Sequence, residues 1–133
     1  MSKGMYKPKL ERDITCPLEY GLDIFGGKWK ARILCVLGAK GVIRYNALRK
    51  ELANITDAVL AAALKELMSD GVIHRIQYNE IPPRVEYQLT EKGRSALPIL
   101  QDICQWSGAY RHPEEADLLA HCQMCDYSGP QVD

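Results

Sequence analysis

The stretch that most restricts the fold is residues 72–93, "VIHRIQYNEIPPRVEYQLTEKG". Two segments rich in strand formers alternate in polarity on either side of "NEIPP", which predicts an antiparallel hairpin. Pro82 and Pro83 restrict the backbone of the loop and stiffen it. Arg84 follows directly at its edge, and Thr90 then signals the start of a helix. A chain with this segment must supply helices to cover one face of a small sheet.

Those helices are legible upstream. "CPLEYGLDIFGG" from Cys16 predicts a short helix with Pro17 in its first turn and Gly26 and Gly27 closing it. "KWKARILCVL" spaces Trp29, Ile33, Val36 and Leu37 for a second helix, which "GAKG" is expected to break. Ile43 and Arg44 read as a two-residue extended segment, followed by a third short helix with Leu48 and Leu52 inward. In "NITDAVLAAALKELMSDG", Thr56 is the expected N-cap, Leu60, Leu64 and Leu67 form an apolar stripe, and Gly71 ends the helix. Its outward face is expected to carry Asp57, Ala58, Ala61, Ala62, Ala63, Lys65 and Ser69. After the hairpin, "EKGRSALPILQDICQWSGAYRH" predicts a long last helix, with Leu97, Leu100, Ile103, Cys104 and Trp106 apolar and Pro98 a kink.

At 133 residues the chain has room for one compact domain, divided here into an arm (1–15), a core (16–112) whose last helix spans about 91–112, and a tail (113–133) with one more short helix. The formal net charge is zero, but its distribution is uneven. Residues 28–94 carry 12 Lys+Arg against 7 Asp+Glu, whereas residues 95–133 carry one Arg against six acids. A basic middle suits a partner rich in phosphate. No apolar run reaches the roughly 20 residues that a bilayer requires, and the polar N-terminus lacks a secretory signal, so the expected location is cytoplasmic. Five cysteines in such a compartment argue against a disulfide framework.

The order helix, helix, short strand, helix, helix, hairpin, helix predicts an α+β, mostly helical winged helix-turn-helix, in which the fourth helix enters a major groove and the hairpin is the wing. The chain resembles the HxlR-type transcriptional regulators through "CPLE", "GGKWK", "RYNALRKEL", "LKELMSDGVIHR", "PPRVEYQLTEKGRSALPIL" and "CQW", from Cys16 to Trp106. The resemblance implies a homodimer built through the first and last helices that binds pseudo-palindromic double-stranded DNA. It also implies thiol chemistry at Cys16, which occupies the position of a cysteine before proline, with a small electrophile or oxidant as partner. The outward helix face departs from the family pattern, being alanine-rich where polar and basic residues are usual.

The residues expected to contact DNA are the cations Lys28, Lys30, Arg44, Arg49, Lys65, Arg75 and Arg84, the third-helix residues Tyr45 and Asn46, and Thr56, Ala58, Ala61 and Ala62 of the fourth helix. Alternatives stand beside several of them. Lys30 can instead seat the first helices, Tyr45 can be core, and any of the cations can be ordinary solvated surface. Alanine touches a thymine methyl but lacks the bidentate hydrogen bonds that distinguish bases. A second function therefore stays open, a protein-interaction or ligand-sensing module with weak sequence-specific DNA binding.

Cys16 lies at a helix start, where a thiolate is stabilised, but a small buried hydrophobe fits it as well. "HCQMC" adds His121, Cys122 and Cys125, which with Cys104 could form a zinc site; a redox pair or incidental tail cysteines are the other readings. No cofactor is expected. "FGGK" fails the phosphate-loop pattern, since Leu22 and Trp29 stand where Gly and Ser or Thr are required. Nothing in the sequence calls for an enzyme.

Overall fold

The computed structural model describes residues 16–110. The arm 1–15, the tail 113–133 with the short helix expected there, and His121, Cys122 and Cys125 lie outside the described residues. The elements run α1 (Pro17–Phe25), α2 (Lys30–Lys40), β1 (Ile43–Arg44), α3 (Tyr45–Leu52), α4 (Asp57–Ser69), β2 (Ile73–Tyr78), β3 (Arg84–Leu89) and α5 (Glu91–Gly108). This is the winged helix-turn-helix order expected from the sequence.

Helix α2 is the centre of the packing. Its Ile33, Leu34, Val36 and Leu37 are fully or almost fully buried, and α1, α3, α4, α5 and β3 all touch it. Leu48 and Leu52 of α3 and Leu60, Leu64 and Leu67 of α4 close the core from one side. Burying one such side chain contributes roughly 1.5–3 kcal/mol. Contrary to the expectation that "GAKG" breaks the helix, α2 continues through Gly38 to Lys40 and ends at Gly41, where φ is 81°. A single glycine costs a helix only about 1 kcal/mol. Gly38 is also where α5 crosses, because a Cβ there would lie 2.7 Å from Leu97 Cδ1.

The sheet has the order β1-β3-β2, antiparallel throughout. Its hairpin register runs from Ile73 opposite Leu89 to Tyr78 opposite Arg84, so residues 79–83 form the wing loop. Ile73, Tyr87 and Leu89 face the core. Helix α4 ends in a Schellman motif: Val72 N–H donates to Leu67 O at 3.1 Å and Gly71 N–H to Met68 O at 3.0 Å, with Gly71 at φ 79°.

Helix α5 starts against that turn. Thr90 accepts a capping hydrogen bond from Gly93 N–H at 3.1 Å, donates its hydroxyl to Gly71 O at 2.6 Å, and gives its own N–H to Val72 O at 3.0 Å. Lys92 donates to Asp70 O at 2.8 Å, a cation at the C-terminus of α4. Gly93 lies so close that any Cβ would overlap Val72 O. Helix α5 then runs unbroken through Pro98. Of its expected apolar residues Leu100 is buried and Leu97 half-buried, while Ile103, Cys104 and Trp106 are exposed.

Gly93→Ala should destabilise the fold by about 2 kcal/mol or more, because the obstructing atom is backbone and cannot rotate away. Thr90→Ala should cost about 1 kcal/mol through the lost cap. Urea unfolding midpoints check both, and a Gly93→Ala midpoint equal to that of the parent would show that the close approach does not exist.

Candidate nucleic-acid interface

Helix α4 presents one small, solvent-facing surface. Ala58, Ala61, Ala62, Lys65 and Ser69 are all exposed, whereas Ala63 is buried (8% exposed). Ala63 was expected on the outward face. It lies three residues after Leu60 and four before Leu67, which puts it on the leucine side of the helix. Thr56 caps the helix, its hydroxyl oxygen accepting from Val59 N–H at 3.2 Å, and its hydroxyl proton stays available to a further acceptor.

Helix α3 is tied to the start of α4 by a charge cluster. Arg49 Nε lies 2.7 Å from Asp57 Oδ1, and Tyr45 donates its hydroxyl to the same oxygen at 3.1 Å. Burial first, and then that hydrogen bond, raise the Tyr45 phenol above its ordinary pKa. Arg49 and Asp57 are both well exposed, so the pair contributes at most about 1 kcal/mol to stability. Its consequence is orientation of the two helices.

Beside this cluster lies an open cleft of about 550 Å³ between the start of α3 and the wing, lined by Arg44, Tyr45, Asn46, Lys50, Pro83 and Arg84 among others. A second cleft between α3 and α4 includes Arg49, Lys50, Thr56 and Asp57. Lys50 borders both. It was not among the residues expected from the sequence, although its spacing of four from Asn46 places the two on one helix face. Among the described residues, Arg44, Lys50 and Lys65 have no carboxylate partner. Arg75 is exposed and its guanidinium donates to Gln77 Oε1 at 3.1 Å.

Other expected residues go elsewhere. Lys30, an expected phosphate ligand, is buried: its ammonium donates to Asp23 O at 3.0 Å at the end of α1 and pairs with Glu66 of α4, also at 3.0 Å. Three helices meet on that one cation, which corrects the expectation in favour of the seating role. Lys28 lies 4.9 Å from the Trp29 ring centroid, with Arg32 also over that ring at 4.7 Å, and does not line either cleft. Arg84 lines the cleft but is paired with Glu80 and Glu86. For Lys30 the signal is tertiary, its carboxylate coming from α4, whereas the carboxylates on Arg84 lie only four and two residues away.

Cys16 is the exposed N-cap residue of α1, and its side chain makes no capping hydrogen bond. The reading of Cys16 as a buried hydrophobe therefore does not hold within the protomer. Cys104 is exposed on α5, and the other residues of its candidate zinc set lie outside the described residues. No helix among the described residues is long and apolar enough to cross a membrane.

Comparison with known proteins agrees with this geometry. The HxlR-like helix-turn-helix family model matches residues 24–115. The HTH-type transcriptional regulator YdzF of Bacillus subtilis is 43% identical over 102 residues, 77% of this chain and 94% of that protein. An HTH-type transcriptional regulator of Methanothermobacter thermautotrophicus is 43% identical over 103 residues, 77% of this chain and 78% of the relative. Among solved structures, the redox regulator HypR in its oxidised form superposes with a TM-score of 0.66 at 40% identity, covering 73% of this chain and 99% of HypR. Reduced YodB from B. subtilis gives 0.67 at 30% identity, over 75% of this chain and 98% of YodB. With its α4 face, its wing and the family model spanning all but the first of its helices, the chain belongs to the HxlR-like helix-turn-helix family of DNA-binding transcriptional regulators.

Proposed function

We propose that this protein works as a homodimer on an inverted-repeat operator, with two α4 helices in major grooves one turn apart, roughly 34 Å. The observation that carries this reading is the exposed, small-residue face of α4 beside cations that no carboxylate occupies, Arg44, Lys50 and Lys65. Arg44, Asn46 and Lys50 would grip backbone phosphate, and Lys65 would reach it from α4. Ala58, Ala61 and Ala62 let the helix approach the bases closely, so discrimination rests on thymine methyl contacts and duplex shape more than on bidentate hydrogen bonds.

Dimerisation is supported by apolar side chains exposed on the first and last of the described helices. Leu18 and Leu22 of α1, and Ile99, Ile103 and Trp106 of α5, are each more than 40% exposed. Cys16 caps the helix that carries Leu18 and Leu22, so modifying its thiol would act at the edge of that surface and shift the spacing of the two α4 helices. HypR and YodB support an oxidant-responsive role, the first being named a redox regulator and the second having been solved after diamide treatment.

Three outcomes are expected. Affinity for an operator selected from random duplexes should fall steeply with salt, and Arg44→Ala or Lys50→Ala should each flatten the logarithmic slope by about 0.9 per protomer, with uniform loss across sequences. A salt-insensitive interaction would favour the module that engages a protein or metabolite instead. Trp106→Glu combined with Ile103→Glu should turn the dimer into a monomer in light scattering. Cys16→Ser should bind DNA as the reduced parent does and lose the response to diamide, and a response retained in the mutant would remove the redox role.

A further inference from the structure

Arg84 is the cation nearest the wing loop, and it is enclosed. Its Nη2 is 3.0 Å from Glu80 Oε2, its Nη1 is 3.5 Å from Glu86 Oε2, and its guanidinium carbon lies 3.9 Å from the centroid of the Tyr78 ring. Nε is buried and, among the described residues, has no hydrogen-bond partner. One guanidinium between two carboxylates leaves the cluster with a formal charge of −1. A wing lying along phosphate would therefore present the wrong sign.

The two carboxylates are not equivalent. Glu86 is central in β3, its side chain only 14% exposed, and it stands opposite Arg44 of β1 in the sheet register. Glu80 is in the wing loop with its side chain 49% exposed. Glu86 is thus enclosed in the sheet with little freedom, whereas Glu80 can swing into solvent. Without Glu80, Arg84 and Glu86 alone are formally neutral, and Nη2 is left without its carboxylate.

We propose that Glu80 is a specificity-determining residue that withholds Arg84 from DNA until a phosphate reaches contact distance. The inference rests on the reading of the hairpin as a wing that lies against a duplex. On a poorly fitting duplex the wing stays at a distance, Arg84 remains on Glu80, and the cluster repels. On a fitting operator the phosphate takes the position of Glu80 on Nη2, and Glu80 rotates out. A charge-assisted guanidinium–phosphate contact is then made only where shape allows it. Glu80 accordingly lowers affinity for all duplexes, and most for the wrong ones.

The test uses the full chain, an operator enriched from random duplexes and a scrambled duplex of equal length, with Glu80→Gln, Arg84→Ala and the double variant. Glu80→Gln should bind the scrambled duplex about fivefold to tenfold tighter and gain less on the operator. Its salt slope on the scrambled duplex should steepen by about 0.9 per wing. Both changes should vanish when Arg84 is also alanine. Glu80→Ala should behave as Glu80→Gln does, which separates the lost charge from any effect of the amide. Unchanged binding in both Glu80 variants, with the parent still binding its operator in a salt-dependent way, overturns this inference alone. An equal gain in the Arg84→Ala background overturns it too, because Glu80 would then act as a plain repulsive charge. A parent that binds no duplex at low salt overturns the wing reading and this inference together.

Discussion

The corner where α4 turns into β2 and the start of α5 packs against that turn governs how α4 and the wing stand relative to each other. Gly71 turns the chain out of α4, Val72 offers its carbonyl to Thr90 N–H, and Gly93 packs directly on that carbonyl. Because the obstructing atoms are backbone, the angle between α4 and the hairpin has little latitude. The exposed face of α4 and the wing are thus set relative to each other by a turn that carries no functional side chain. Helix α5 leaves the same corner in a fixed direction and crosses α2 at Gly38, which decides where its exposed Ile103 and Trp106 stand.

A second constraint is electrostatic. Lys30, Arg49 and Arg84 each have a carboxylate oxygen within about 3 Å, and each pair joins two elements or the two sides of the wing loop. Such cations serve the fold first. Lys30 does so from inside, bridging α1, α2 and α4, where removing one partner of the pair would leave the other's charge stranded. Arg49 does so at the surface, where solvent screens the pair and its value lies in alignment. The cations without a carboxylate among the described residues are fewer than the basic surplus of residues 28–94 suggests, and Arg44, Lys50 and Lys65 are the ones proposed to meet phosphate.

The alanine face of α4 fits this division. Small side chains would give the helix close access to a groove floor and ask little of hydrogen-bond geometry, so in the proposed complex selectivity would come from shape and from whether the flanking contacts engage together. A wing whose arginine is already occupied sharpens that requirement. Exposed apolar residues on α1 and α5 supply the surface through which a second copy would double it.

Local signals in the sequence determined the element order, both threonine caps, the hairpin with its stiff loop, and the leucine stripe of α4. Each depends on neighbours within a few positions: a cap on the residue three ahead, a strand on alternation, a stripe on the helical repeat. The extent of α2 past Gly38 was not legible, because the close crossing of α5 comes from residues nearly sixty positions away. The roles of Lys30 and Arg49 were hidden for a related reason. Whether a cation is free for a ligand depends on which carboxylates folding brings within 4 Å, and Glu66 lies thirty-six residues from Lys30. The inward side of Ala63, by contrast, follows from its spacing to Leu60 and Leu67 and was open to a sequence reading. The local code wrote the elements, and long-range packing decided which of their charges were left to meet a partner.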